Sequence, residues 1–218
     1  MILRCDAVLF DLDGVLVDSA ECVEATWRRW ALRHQMDPAV VIAEAHGRRT
    51  VDTIRRVAPH LAADDEVAAL AASEATTTEG VYEVPGARAL LRRLPSERWA
   101  VVTSGIRAVA TLRITHTMLP MPNILICADD ISRGKPDPEG YLTAARRLGI
   151  PPTQCIVVED APAGLQAAAA AGMQSIAVAG TYDCDALSGA TACIRSLGAL
   201  EVLDESPTGR ITFRLPPT

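Results

Sequence analysis

Residues 7–15 read Ala-Val-Leu-Phe-Asp-Leu-Asp-Gly-Val, an apolar run that stops abruptly at two aspartates and a glycine. The four apolar residues are typical of a buried strand in a parallel sheet. Asp11 and Asp13 lie one residue apart, so their side chains point in roughly the same direction, and Gly14 lets the chain turn. Such a pair can supply a nucleophile and a proton carrier. Taken alone, the same pattern also occurs at an ordinary strand-to-turn junction.

Four further apolar runs along the chain are predicted strands, and helical patterns separate several of them. The five predicted strands are Ala7–Phe10, Trp99–Val102, Ile124–Cys127, Cys155–Val158 and Ser175–Ala179, and the clearest helical patterns are Ala87–Leu94, Glu139–Leu148 and Pro162–Ala171. Strands that alternate with helices indicate a parallel sheet covered on both faces. The sequence therefore predicts an α/β fold with a Rossmann-like, doubly wound parallel sheet at its core.

Residues 18–83 interrupt this alternation. The stretch is rich in Ala, Glu and Arg, has helical periodicity, and contains no convincing strand. Val84–Pro85–Gly86 has the composition of a turn back into the core. We therefore expect an inserted all-helical cap domain over 18–83, with a catalytic core formed by 1–17 and 84–218.

Polar residues follow the predicted strands at the points where they end. Thr103–Ser104 follows the second strand, Asp129–Asp130 the third and Glu159–Asp160 the fourth. Ligands of open α/β sheets bind at the carboxyl ends of the strands, so these side chains are expected to converge with Asp11. Carboxylates held so close need a cation among them, and oxygen ligands of this kind suit Mg²⁺. The pattern predicts a magnesium site able to receive phosphate.

Lys135 stands out because the chain has twenty arginines and no other lysine. It lies in Gly134–Lys135–Pro136–Asp137–Pro138, which is not a Walker loop, since Pro136 occupies the place of the required Ser or Thr. A lysine in a surface loop is usually just solvated. A compact ammonium, however, fits between a phosphate and a carboxylate where a guanidinium fork would not. We therefore predict that Lys135 is functional.

Four segments, in this order, resemble the motifs of the haloacid dehalogenase superfamily: Phe10–Ser19, Val101–Gly105, Gly134–Glu139 and Val157–Gly164. The helical insert after the first motif resembles the C1 cap of the β-phosphoglucomutase-like branch. Within that branch, three segments are similar to phosphatases that act on glycerol phosphate or 2-deoxyglucose 6-phosphate, namely His46–Thr50, Val84–Gly86 and Trp99–Gly105.

The resemblance implies an Mg²⁺-dependent phosphomonoesterase whose substrate is a small phosphorylated metabolite, such as a sugar or polyol phosphate. Asp11 would be the nucleophile that forms an aspartyl-phosphate, and Asp13 would be the general acid and base. The implied metal site comprises the Asp11 carboxylate, the Asp13 main-chain carbonyl and Asp160, with Glu159 acting in the second shell or through water. The phosphate would be held by Thr103, Ser104 and Lys135, and the leaving group by the cap residues Arg49, Arg48 and His46.

Three other activities of the superfamily are weaker interpretations. A sugar phosphomutase of the β-phosphoglucomutase type uses a cap histidine four residues after its first motif, and the same count from Ser19 gives Val23. Dehalogenases lack the second aspartate, and phosphonate cleavage needs a cap lysine, which 18–83 does not contain. A catalytically silent binding or regulatory relative is the alternative from another class, although every chemical position of the motifs is filled here.

Composition limits the partners. The net charge of −6 disfavours nucleic acid and anionic membranes as partners. Residues 1–13 do not resemble a secretion signal, and the six cysteines show no metal-ligand spacing, so we expect reduced, buried thiols in a cytoplasmic protein. Nothing in the sequence decides the oligomeric state, and a monomer is plausible.

Overall fold

The computed structural model describes residues 1–203 and 210–216. The strands are β1 Ile2–Cys5, β2 Ala7–Phe10, β3 Val17–Asp18, β4 Tyr82–Glu83, β5 Trp99–Val102, β6 Leu125–Ile126, β7 Cys155–Glu159, β8 Gln174–Val178, β9 Ala192–Ile194, β10 Glu201–Leu203 and β11 Ile211–Arg214. The helices are α1 Ala20–Arg33, α2 Pro38–Ala45, α3 Thr50–Val57, α4 Ala63–Glu74, α5 Ala87–Arg93, α6 Arg107–His116, α7 Glu139–Leu148 and α8 Pro162–Ala170.

The main sheet has six parallel strands in the order β6-β5-β2-β7-β8-β9. Alternate residues of β2 face opposite sides: Val8 and Phe10 belong to one hydrophobic cluster and Leu9 to the other. Helices cover both faces, which confirms the predicted doubly wound α/β fold. All five predicted strands are present, and no end differs from the prediction by more than one residue. The sixth, β9, was not predicted, because its three residues are too few to show a pattern.

A second, three-stranded antiparallel sheet joins the two ends of the chain in the order β1-β11-β10. The apolar residues of β11, Ile211 and Phe213, are buried against the same cluster as Phe10. This sheet was not predicted, since its strands are short and β1 is distant along the chain from the other two.

The cap consists of α1 to α4, packed around the fully buried Trp30. Where the chain leaves and re-enters the core, β3 and β4 pair antiparallel, with Val17 opposite Glu83 and Asp18 opposite Tyr82. The expectation that 18–83 contains no strand is thus wrong at its two ends. Two-residue strands leave no alternation that a sequence pattern could reveal. No helix within the described ranges is long and apolar enough to cross a bilayer.

The expectation of six reduced thiols is also corrected. Cys184 and Cys193 form a disulfide, with their Cα atoms 5.9 Å apart. The other four cysteines, Cys5, Cys22, Cys127 and Cys155, are free and buried, as predicted. Cys193 lies in β9, which brings it beside the loop after β8, and a spacing of nine residues gave no sign of this contact. Disulfides are uncommon in the cytosol, so the cytoplasmic location remains a prediction.

Candidate active site

The carboxyl ends of three neighbouring strands build the floor of a cavity of about 680 Å³. The strand β2 lies between β5 and β7, with Phe10 opposite both Val101 and Val158, so the residues that follow these strands meet. They are Asp11, Thr103, Ser104 and Asp160, all of which line the cavity. The sequence prediction that these strand ends converge is therefore matched by the geometry. The Asp129–Asp130 pair is different, because neither residue lines the cavity. Asp129 accepts a hydrogen bond from the backbone N–H of Arg107, and Asp130 accepts one from its guanidinium.

Lys135 lies directly behind the floor, with only 7% of its surface exposed. Its Nζ is 2.9 Å from Asp11 Oδ1 and 2.6 Å from Glu159 Oε1. Burial acts to lower the pKa of Lys135, but the two carboxylates outweigh it and raise the pKa above its usual value. The two ion pairs therefore favour the charged ammonium, which lies beside Asp11 Oδ1.

Glu159 is fully buried, and both of its oxygens are occupied. Oε1 accepts from the Tyr141 hydroxyl at 2.9 Å as well as from Lys135, and Oε2 accepts from the backbone N–H groups of Asp160 and Ala161. Gly164 makes room for this carboxylate, since a Cβ there would lie 1.7 Å from it. These hydrogen bonds and the ion pair hold Lys135 in place, and they leave no oxygen of Glu159 free for a direct metal bond.

Asp11 and Asp160 have the chemistry of a cation site. Asp11 Oδ1 is buried and, despite its ion pair with Lys135, accepts no well-aligned hydrogen bond from the described residues. Burial raises the pKa of Asp11 well above its usual range, and it raises that of Asp160 to about 7. One oxygen each of Asp11, Glu159 and Asp160 lies within 4.8 Å of the others. A cation bound by Asp11 and Asp160 would relieve the cost of burying these two carboxylates, so the residues fit a hard divalent ion.

Gly14 allows Asp160 to reach this position. Its φ of +80° lies in the left-handed region, and a Cβ on it would come within 2.0 Å of Asp160 Oδ2. The same oxygen accepts a 2.6 Å hydrogen bond from the hydroxyl of Thr181, which lies in the loop after β8. Thr181 was not predicted as a site residue, although it lies just after a predicted strand, as the predicted site residues do.

The cap forms the roof of the cavity, through His46, Gly47, Arg48 and Glu74. The roof rests on the floor: Ser104 Oγ donates to the Gly47 carbonyl at 3.0 Å. A Cβ on Gly47 would lie 2.8 Å from that of Ala161, so only glycine permits this approach. His46 makes an edge-on contact with Tyr182, with ring centroids 6.2 Å apart, and burial lowers its pKa.

Arg48 and Arg49, which are adjacent in the cap, lie in opposite environments. Arg48 lines the cavity, and its guanidinium makes no hydrogen bond or ion pair with any described residue. Arg49 does not line it: the guanidinium is buried, pairs with Asp52 at 2.7 Å and donates to the Ile131 carbonyl of the core at 3.2 Å. The predicted substrate contact through Arg49 therefore finds no support in this geometry, whereas Arg48 and His46 reach the cavity.

Asp13 lines the cavity beside Asp11, and its carboxylate is held from two sides. Ser19 Oγ donates to Asp13 Oδ1 at 2.6 Å, and Arg113 Nη1 donates to the same oxygen at 2.7 Å. Arg113 and its second partner, Glu74 of the cap, were absent from the sequence analysis. No motif pointed to them, because their meeting depends on how α6 and α4 pack.

Comparison with known proteins agrees with this geometry. Residues 5–172 match the family model of the haloacid dehalogenase-like hydrolases. The chain belongs to this family and is a phosphoric monoester hydrolase, as the resemblance implied.

Two curated relatives and one solved structure illustrate the similarity. The chain is 41% identical to hexitol phosphatase A of Escherichia coli, over 97% of this chain and 100% of that protein. It is 39% identical to glycerol-1-phosphate phosphohydrolase 2 of Saccharomyces cerevisiae, over 85% of this chain and 79% of that protein. A hydrolase from Pseudomonas syringae superposes with a TM-score of 0.78 at 26% identity, covering 88% of this chain and 94% of that one.

Proposed function

We propose that the chain hydrolyses the phosphate monoester of a small polyol or sugar, with Mg²⁺ bound at Asp11 and Asp160 and an aspartyl-phosphate formed on Asp11. The observation that carries this proposal is the buried carboxylate of Asp11 at the bottom of a cavity, beside the charged Lys135 and with an oxygen that accepts no well-aligned hydrogen bond from the described residues. When bound, Mg²⁺ would offset the charge of the carboxylates and of the incoming phosphate.

The reaction divides between Asp11 and Asp13. A carboxylate oxygen of Asp11 attacks phosphorus, the bond from phosphorus to the ester oxygen breaks, and Asp13 gives its proton to that departing oxygen. Asp13 then takes a proton from water, which attacks the phosphorus and releases Asp11. Lys135, the hydroxyl of Thr103 and the backbone N–H of Ser104 stabilise the charge on the transferring oxygens.

The substrate class rests on the two curated relatives, whose names specify a hexitol phosphatase and a glycerol-1-phosphate phosphohydrolase. The roof offers groups that suit a hydroxylated leaving group: the unpaired guanidinium of Arg48, the half-buried ring of His46 and the nearby carboxylate of Glu74. Arg49 instead fastens the roof to the core. A mutase has less support, because Val23 lines the cavity at the position where the phosphomutase would place a histidine.

The test is a set of hexitol, pentitol, glycerol and hexose phosphates, ranked by kcat/KM with Mg²⁺ and again after rigorous chelation. We expect chelation to abolish turnover, Mg²⁺ to restore it and Ca²⁺ to restore it poorly, because the looser coordination of Ca²⁺ misplaces the attacking oxygen. Rapid quenching with a substrate labelled in its phosphate should trap the label on Asp11. Full activity after chelation would disprove the metal role, and the lack of any trapped adduct would favour direct attack by water.

We also propose that the protein needs neither nucleic acid nor membrane, in keeping with its net charge of −6. Scattering or sedimentation in solution would decide between the plausible monomer and a larger assembly.

A further inference from the structure

Arg113, on α6 of the core, is a buried arginine that the mechanism above does not use. Only 5% of its side chain is exposed. Removing a guanidinium from water is costly unless carboxylates and hydrogen bonds compensate for the lost hydration. The two carboxylates that compensate here come from different parts of the molecule: Asp13 from the core and Glu74 from the cap.

The first end of the guanidinium fixes the orientation of Asp13. Arg113 Nη1 and Ser19 Oγ both donate to Oδ1 of Asp13, at 2.7 and 2.6 Å. The second oxygen, Oδ2, accepts no hydrogen bond from the described residues, and Asp13 lines the cavity. One oxygen is thereby held while the other is left for the substrate.

The second end of the guanidinium lies near the cap. Arg113 Nη2 is 3.6 Å from Glu74 Oε1, too far for a hydrogen bond, and makes none with the described residues although it is buried. Glu74 is itself largely buried, which raises its pKa, while the charge of Arg113 opposes that rise. Glu74 ends α4, so this attraction exists only while the cap covers the core.

We propose that Arg113 is a positioning residue that holds Asp13 for protonation of the leaving oxygen, and that Glu74 of the closed cap holds Arg113 in turn. This inference rests on the acid role proposed for Asp13. Without Glu74, both terminal nitrogens of Arg113 are available to Asp13, and a guanidinium prefers to bind a carboxylate through both oxygens. The oxygen needed by the substrate would then be occupied. Glu74 prevents this by drawing Nη2 away, so that a closed cap keeps the acid available.

The experiment uses monoesters without hydroxyls whose leaving groups differ in basicity: p-nitrophenyl, phenyl, benzyl and ethyl phosphate. A p-nitrophenolate leaves without a proton, whereas an ethoxide needs one. The parameter is kcat/KM, because it reports the step in which the leaving group departs and not the later hydrolysis of the aspartyl-phosphate. Arg113→Lys and Arg113→Met should lose less than about threefold on p-nitrophenyl phosphate and roughly 10²-fold on ethyl phosphate, as loss of general acid catalysis predicts.

Glu74→Gln should show the same trend with smaller losses, and it should cost nothing further when combined with Arg113→Met. The matched control is the pair of Arg88 and Glu83, which are 2.6 Å apart and do not contact Asp13. Arg88→Met and Glu83→Gln should change all four esters equally. If Arg113→Met does not fold, Arg113→Lys and Glu74→Gln still decide the question.

Two results would overturn the inference: equal losses on all four esters in the Arg113 variants, or an unchanged kcat/KM for all four. Additive losses from Glu74→Gln and Arg113→Met would show that Glu74 does not act through Arg113. Asp13→Asn on the same esters separates this inference from the proposed function. Equal losses there would disprove the acid role itself, whereas a steep trend for Asp13→Asn beside equal losses for Arg113→Lys would disprove the inference alone.

Discussion

The charged groups at the floor of the cavity bind one another, whereas those of the roof bind the core or nothing at all. Lys135, Asp11 and Glu159 form one buried group of ion pairs within the core. In the roof, Arg49 is held by Asp52 and a core carbonyl, while the guanidinium of its neighbour Arg48 makes no hydrogen bond or ion pair with the described residues. The floor can therefore be ready for phosphate before substrate arrives, while the roof keeps a cation free for a leaving group that differs between substrates.

The largest effect should come from the floor. Asp11→Asn removes the nucleophile without changing the size of the side chain, so we expect no detectable turnover of any substrate. The measurement is phosphate release from p-nitrophenyl phosphate and from the best polyol phosphate in the same preparation. A variant that keeps its wild-type melting temperature and still turns over would show that Asp11 is not the nucleophile that attacks phosphorus.

Lys135→Arg tests whether the floor needs a compact cation. The ammonium lies 2.9 Å from Asp11, 2.6 Å from Glu159 and 5.4 Å from the centroid of Tyr141, a space too small for a guanidinium. We expect a loss in kcat/KM of roughly 10²–10³-fold, close to that of Lys135→Ala, since a misplaced charge stabilises the transition state poorly. Near-normal kcat/KM in the arginine variant would mean that charge alone suffices.

The two roof arginines give the sharpest contrast. Arg48→Ala should lower kcat/KM about ten- to a hundred-fold on the best polyol phosphate, the usual effect of losing one charged hydrogen bond, and much less on p-nitrophenyl phosphate. Arg49→Ala should lower both by a similar factor, because it loosens the roof and not a substrate contact. Parallel kinetics on the two substrates decide the matter. A loss selective for the polyol phosphate in Arg49→Ala, beside equal losses in Arg48→Ala, would show that Arg49 makes the substrate contact.

The smallest effect on turnover should come from the disulfide beside the place where floor and roof meet. The loop after β8 carries Thr181, which contacts Asp160, and Tyr182, which contacts His46. Replacing Cys184 by Ser should cost about 2–3 kcal/mol of stability, or roughly 5–10 °C in Tm, from the entropy of the opened loop.

A direct check of the pairing is the thiol content of the denatured, unreduced protein. Four free thiols are expected, in agreement with Cys5, Cys22, Cys127 and Cys155. Six would show that Cys184 and Cys193 are reduced in solution, and the variant would then melt at the wild-type temperature.

The parts of the molecule that the sequence predicted share a physical origin. Asp11, Thr103, Ser104 and Asp160 follow buried strands, and parallel strands necessarily bring their ends together, so local pattern and topology sufficed. Arg113, Glu74 and the Cys184–Cys193 pair meet only through the packing of elements distant in the chain. Arg48 and Arg49 show the limit most plainly. Because the two residues are adjacent and of the same type, the sequence pattern does not indicate which side chain faces the cavity.

The short pairing of β3 with β4 has a consequence for how such a molecule can be rebuilt. Because Val17 lies opposite Glu83, the two ends of the cap are neighbours, separated only by the spacing of adjacent strands. An insertion with neighbouring ends can be exchanged as a cassette without stretching the sheet that hosts it. A tight turn linking these two positions would close the core without its cap, and a cap from another enzyme could be spliced at the same junction to give an unchanged reaction a different choice of substrate.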